Sequence, residues 1–244
     1  MKYRLLDLFS GIGGFSLGLE RSGGFETVAF CENNPARWPI LKKHWPDVPI
    51  IQDVKRIPDG LVVDVVAAGF PCQDISLAGD GAGLAGMRSR LFWRIIRAAG
   101  LVGWPKLLLE NVAALLSRGM GTVLGALAQV GYDAQWHCIP ASAVGAPHIR
   151  DRVWIIADHR SKRGQGVIFD KISRQSAFSW CENVRRPEDL PERSDLYPSK
   201  LCGSGNGISP RLDACGNSVI PQIVEIIGRA IMRVSDTSQL QQGE

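Results

Sequence analysis

The chain predicts an α/β protein, a doubly wound and mostly parallel sheet carrying a small irregular subdomain. Three features of the 244 residues predict it. Short runs rich in β-branched residues or leucine recur at 3–9, 26–31, 48–52, 62–68, 106–109 and 153–157. Stretches of helical periodicity at 15–20, 91–101 and 117–130 separate several of them, which is the rhythm of βα units. That rhythm dissolves after Asp158 and returns at Arg211. The predicted organisation is therefore a main domain of 1–158 plus 211–244 and a subdomain of 159–210.

Bulk composition excludes several classes. Hydrophobic residues make up 45% and charged residues 21%, the values of a soluble globular domain. No apolar run is long enough to span a bilayer, and the N-terminus enters a strand pattern directly, without a signal peptide's apolar region. The six cysteines form no Cys-x-x-Cys pair, so a reducing cytoplasm is expected, with no metal site. The net charge of +4 is concentrated. Residues 160–211 hold ten Lys/Arg against six Asp/Glu, and the rest of the chain has eighteen of each. Such an excess suits a phosphate-binding surface and equally a solvated face.

Taken in order, the first strand ends in Phe9 and a turn, Ser10-Gly11-Ile12-Gly13-Gly14, before the first helix. A glycine-rich turn there lets a ligand approach backbone N–H groups near a helix N-terminus. It departs from the dinucleotide fingerprint, because Ser16 stands where the third glycine belongs. The second strand ends in Glu32, suited either to ribose hydroxyls or to a helix start, given Pro35. The third delivers Asp53. The fourth ends in Gly69-Phe70-Pro71-Cys72, where proline stops the ladder and presents Cys72 at a strand tip. Cys72 is thus either a nucleophile or a packing thiol.

A glycine-rich segment, 77–90, has the composition of a closing loop and equally of a surface loop. The fifth strand carries Glu110 directly after three leucines. A carboxylate there is costly to bury unless paired or protonated, or else it caps a helix. A strand at 134–140 follows, then His148-Ile149-Arg150-Asp151-Arg152 leads into the strand 153–157. Arg150 and Arg152 alternate like residues on one strand face, able to meet an anion or to answer Asp151. A final helix runs to Val234, capped by Asn217 or Ser218, and a polar tail from Ser235 is expected to fray.

These motifs, in this order, resemble the DNA (cytosine-5) methyltransferases, and most of all their short bacterial and phage-type members. The resemblance implies a class I, Rossmann-like methyltransferase domain with S-adenosylmethionine as cofactor and a target-recognition subdomain at 159–210. It implies duplex DNA as partner, no membrane, a monomer, and a restriction-modification or phage setting. Phe9, Gly11, Ile12, Gly13 and Gly14 fall in the motif that cradles the cofactor. Glu32 fits the ribose-binding acid, and Asp53 with Val54 the adenine contact. Gly69, Pro71 and Cys72 fit the Pro-Cys motif with its nucleophile, and Leu91 the next cofactor-lining motif. Glu110 fits the residue that meets a flipped cytosine, Arg150 and Arg152 the two arginines of the Gln-x-Arg-x-Arg motif, and Asn217 and Ser218 the last motif. His148 stands where glutamine is commonest, and Asn34 where an acid often follows the ribose glutamate.

The implied chemistry suits these residue types. A thiolate adding at C6 of cytosine makes C5 nucleophilic, Glu110 acts at N3, and Arg152 holds the carbonyl oxygen while Arg150 supports the site or a phosphate. The base must leave the duplex for this to happen. RNA cytosine methylation on the same fold and a catalytically decayed DNA-binding relative are the alternatives. A nicotinamide oxidoreductase lies further off.

Overall fold

The computed structural model describes residues 2–70, 90–162 and 218–240. Seven strands form one sheet: β1 (Tyr3–Leu8), β2 (Phe25–Cys31), β3 (Ile50–Ile51), β4 (Val65–Gly69), β5 (Lys106–Val112), β6 (Tyr132–Pro140) and β7 (Asp151–His159). Their order is β3-β2-β1-β4-β5-β7-β6, parallel through β5, with β7 antiparallel to both β5 and β6. The described helices are α1 (Gly14–Arg21), α2 (Trp38–His44), α3 (Arg90–Leu101), α4 (Leu115–Arg118), α5 (Met120–Gln129) and α6 (Pro221–Leu240). The expected doubly wound, mostly parallel sheet is the one observed. The chain winds one way from β1 to β3 and the other way from β4 onward, so a crevice opens at the carboxyl ends of β1 and β4.

Both faces of the sheet are covered, which explains strands that read as continuous apolar runs. Leu6 and Leu8 point into a cluster with Phe92 and Ile95 of α3 and Val123 and Leu127 of α5. Leu5 points the other way, into a cluster with Phe15 and Leu19 of α1 and Ile223, Val224 and Ile227 of α6. Helices α1 and α6 pack closely at Gly18, where a Cβ would lie 2.5 Å from both the Pro221 carbonyl oxygen and the Val224 Cβ. Sequence-distant glycine and C-terminal helix are thereby locked together.

The first turn of α1 is held from the sheet. Its N-cap, Gly13, offers no side-chain acceptor. Asp7 of β1 takes that role, its Oδ2 accepting from Ser16 N at 3.3 Å and Ser16 Oγ at 2.8 Å. Asp7 is fully buried, and burial pushes its carboxyl up to about 8 against the pull of the Ser16 bonds.

Several boundaries differ from the sequence expectation. Strand β1 stops at Leu8, and Phe9 turns into the left-handed region at φ 54°. Strand β4 starts at Val65, not 62: Val62 is 59% exposed and the Asp64 carboxylate is drawn to Arg4, accepting from its Nε at 3.0 Å and Nη2 at 3.1 Å. Strand β3 is two residues long. Strand β5 runs on to Val112 because β7 gives it a second partner, with Glu110 opposite Trp154 and Val112 opposite Arg152. The helix expected over 117–130 is two helices divided at Gly119. Helix α6 continues to Leu240, with no glycine or proline between Gly228 and its last residue to stop it. Of the segment 159–210, only 159–162 are described.

Candidate active site

Glu110 is the centre of the site. The β5–β7 ladder sets it opposite Trp154, and it is only 8% exposed. Its Oε1 lies 2.9 Å from Arg152 Nε. Burial holds the Glu110 carboxyl above its ordinary range, opposed by the charges of Arg152 and Arg150 and by the Arg152 hydrogen bond. The two influences oppose each other on a carboxyl at the polar edge of the crevice, the kind of perturbed group found at functional sites. The helix-cap alternative does not apply, since Glu110 lies inside a strand.

Arg150 and Arg152 face one cavity, but by different routes. Arg152 is in β7, and its Nη1 also donates to the Asp151 carbonyl at 2.8 Å. Arg150 precedes the strand, contrary to the strand alternation expected of the pair, and its Nη2 donates to the Ser218 carbonyl at 2.9 Å. That bond ties the arginine segment to the chain leading into α6. The cavity measures about 500 Å³, within the range of small-molecule sites, and its lining includes Gly11, Glu32, Gly69, Glu110, both arginines and Ser218. Gly69 leaves the room Glu110 needs: a Cβ there would sit 3.2 Å from Glu110 Oε2.

The other end of this cavity is organised by Glu32, 2% exposed at the tip of β2. Its Oε2 accepts from Gly11 N at 2.7 Å and its Oε1 from Asn34 N at 2.8 Å, and Arg37 Nη1 lies 3.5 Å from Oε2. The capping role belongs to Asn34, whose Oδ1 accepts from Ala36 N at 3.0 Å. Glu32 therefore braces the glycine turn rather than starting a helix. Gly11 is left-handed, and a Cβ on it would find nothing nearer than the Phe9 carbonyl oxygen at 4.0 Å, so its surface is open to the cavity.

A second cavity of about 480 Å³ adjoins, sharing Phe9 and Leu91 and lined also by Asp53, Val54, Gln52 and Arg94. Asp53 accepts from Lys55 N at 2.9 Å. Phe9 borders both cavities in a conformation that costs a non-glycine residue about 1–2 kcal/mol, strain of a kind that clusters at ligand sites.

Of the residues expected at the site, Phe9, Gly11, Gly14, Glu32, Asp53, Val54, Gly69, Leu91, Glu110, Arg150, Arg152 and Ser218 line one or both cavities. Ile12 and Gly13 do not. Gly13 is a left-handed turn residue pressed on Trp45, whose ring stands 2.6 Å from where a Cβ would be. Pro71, Cys72, the loop of 77–89 and Asn217 lie outside the described residues. Sequence reasoning passed over Arg37, and gave Asn111 no role beyond its membership, between Glu110 and Val112, of the Glu-Asn-Val motif that the resemblance supplies. Arg37 had a spacing of five from Glu32 as its only signal, and Asn111 its place beside Glu110.

The model of the C-5 cytosine-specific DNA methylase family matches residues 3–195 of the chain. The chain belongs to this family. Among curated relatives, the type II methyltransferase M2.BsuMI of Bacillus subtilis (strain 168) is 33% identical over 229 residues, covering 84% of this chain and 58% of the relative. M.AquIA of Picosynechococcus sp. (strain ATCC 27264 / PCC 7002 / PR-6) is 30% identical over 228 residues, covering 82% of this chain and 84% of that one. The chain spans about half the length of several others, as with M.Eco47II of Escherichia coli at 53%. The fold is shared with the crystal structure of S. pombe Dnmt2 methyltransferase (TM-score 0.63, 14% identity, 96% of this chain and 99% of that one). It is also shared with a putative DNA modification methyltransferase from an E. coli prophage (TM-score 0.55, 24% identity, 68% and 49%).

Proposed function

We propose that this protein transfers a methyl group from S-adenosylmethionine to C5 of a cytosine flipped out of duplex DNA. The observation that carries the reading is Glu110 paired with Arg152 in a buried crevice bounded by Gly69 and Phe70, the residues directly before Pro71-Cys72. Family membership supports it, and the relatives' names as type II methyltransferases favour a restriction-modification setting.

The cofactor's shape and chemistry fit the residues present. Glu32, bound to N–H groups through both oxygens, has lone pairs remaining for ribose hydroxyls, and Gly11 offers backbone with no side chain in the way. Asp53, Val54 and Leu91 suit the adenine in the adjoining cavity. When bound, S-adenosylmethionine supplies an electrophilic methyl group on its sulfonium.

The chain's own residues do the rest. The Cys72 thiolate forms a C–S bond at C6 of the cytosine and pushes electron density to C5. Glu110 gives a proton or hydrogen bond to N3, where negative charge builds. Arg152 holds Glu110 in line and offers its remaining N–H groups to the base carbonyl oxygen, and Arg150 braces the loop through Ser218. Once C5 carries the methyl, loss of its proton re-forms the double bond and expels the Cys72 thiolate. The segment 159–210, with its basic excess, would supply the base-edge contacts that choose the site.

Duplex DNA with 5-fluorocytosine at the target, mixed with protein and S-adenosylmethionine, tests this directly, because fluorine blocks the last step. A covalent complex is expected from the wild type and none from Cys72→Ala. Trapping that persists in Cys72→Ala would remove Cys72 as the nucleophile, and trapping on tRNA but not on duplex DNA would move the activity to RNA. Bisulfite sequencing of DNA from expressing cells would read out the target site.

A further inference from the structure

The carboxyl ends of β4 and β5 do not finish as a parallel ladder should. Along the two strands the register is regular, from Val65 opposite Lys106 to Gly69 opposite Glu110. Phe70 N–H then donates to the Glu110 carbonyl at 3.4 Å. In a parallel ladder the next bond runs from Val112 N–H to the Phe70 carbonyl. A side chain has been inserted there instead. Asn111 Oδ1 accepts the Val112 N–H at 2.8 Å, and Asn111 Nδ2 donates to the Phe70 carbonyl at 3.0 Å.

The carboxamide thus takes the place of the missing rung, satisfying one backbone donor and one backbone acceptor. Asn111 is 1% exposed and Phe70 4%, so without the amide the Phe70 carbonyl would be buried with its ladder partner missing. Inserting an amide into one rung separates the strand tips where the crevice begins. Gly69 leaves the other half of that space clear for Glu110. Among ordinary side chains of this length only asparagine offers a donor and an acceptor together; aspartate has no donor and would bring a second carboxylate beside Glu110.

We infer that Asn111 is a positioning residue that wedges β4 and β5 apart and sets the distance between Glu110 and the chain leaving Phe70. The consequence for catalysis rests on the methyltransfer reading, since Pro71 and Cys72 follow Phe70 directly. The wedge itself does not. In this role the Asn111 amide spends its donor and its acceptor on backbone, so its loss should act on the chemical step and leave cofactor affinity alone.

The test uses the full chain with Asn111→Asp and Asn111→Ala, their folding checked by thermal melts. Affinity for S-adenosylmethionine should stay within about twofold, while kcat for DNA methylation falls about 100-fold, as expected for a misplaced reacting group. A second readout needs neither cofactor nor DNA. The rate of Cys72 alkylation by iodoacetamide, followed by peptide mass, should change several-fold in both variants, with Cys138 on β6 as an unchanged internal reference. Unaltered kcat and unaltered Cys72 alkylation in a folded variant would overturn the assignment. A wild-type protein without methyl transfer would count against the proposed function, and alkylation would still decide Asn111. Should both variants fail to fold, a crystal structure of the wild type decides: Val112 N–H bonded directly to the Phe70 carbonyl would refute the wedge.

Discussion

Replacing Arg152 with methionine should destabilise the fold and change how stability depends on pH, both through Glu110. The guanidinium keeps 22% of its side chain exposed, while Glu110 is nearly buried and meets Arg152 at 2.9 Å. Breaking a buried pair from one side costs about 3–5 kcal/mol because the partner charge is stranded, and the partial exposure of Arg152 argues for about 3 kcal/mol. Glu110→Gln leaves Arg152 a neutral acceptor and should cost about 1 kcal/mol. The double variant, with no stranded charge, should fall short of the sum by about 2 kcal/mol. Urea denaturation of all four proteins at neutral pH measures this cycle.

The pH dependence has a definite sign. The Glu110 carboxyl is raised above its ordinary 4.5, so the folded state binds the proton more tightly than the unfolded chain. Its effect on stability is most favourable in acid and declines as pH rises from 4.5 through the folded value. Loss of Arg152 removes an influence that lowers this value, so the decline in Arg152→Met should extend to higher pH. In Glu110→Gln this contribution should vanish. Additive single effects, within about 0.5 kcal/mol, together with unchanged pH slopes, would refute the description of Glu110 as a buried carboxyl held by Arg152.

Asp7 is pushed to about 8, so it too destabilises progressively between its ordinary 3.8 and about 8. Asp7→Asn should flatten the melting temperature against pH over that interval, where an unchanged profile would place the titration elsewhere. Gly18→Ala should cost about 2 kcal/mol or more by forcing α1 off α6, measured by urea denaturation, since the new Cβ meets backbone and a β-branched stem. Glu32→Ala should weaken S-adenosylmethionine binding about 10- to 100-fold by calorimetry, as expected from losing hydrogen bonds worth about 1.5–3 kcal/mol to a charged group. Normal affinity there would remove Glu32 from the ribose site.

Much of this was legible in the chain because the relevant signals are local. Strand tips follow from an apolar run meeting Gly, Pro or an acid, so Glu32, Gly69 and Glu110 could be located from their neighbours alone. The two-sided core was also legible, since strands buried on both faces lose the alternation that marks a half-exposed sheet. Arg150 shows where local reasoning fails. Residue alternation put it on a strand face, yet it lies before β7 and reaches the cavity through a loop bonded to Ser218, 68 residues away.

The sequence by itself determined the fold class, the family, and which residue types stand at the strand tips, because periodicity and motif order are properties of the chain. Only the tertiary structure decided how they cooperate. The lowering influence of two arginines on Glu110, the bracing of Gly11 by Glu32, and the close packing of Gly18 against α6 all join residues far apart in sequence. Asn111 is the sharpest case. Its neighbours mark it as part of a motif, but its role as a substitute rung depends on where the Phe70 carbonyl lies, and a carbonyl brought near by folding leaves no mark on the sequence around Asn111.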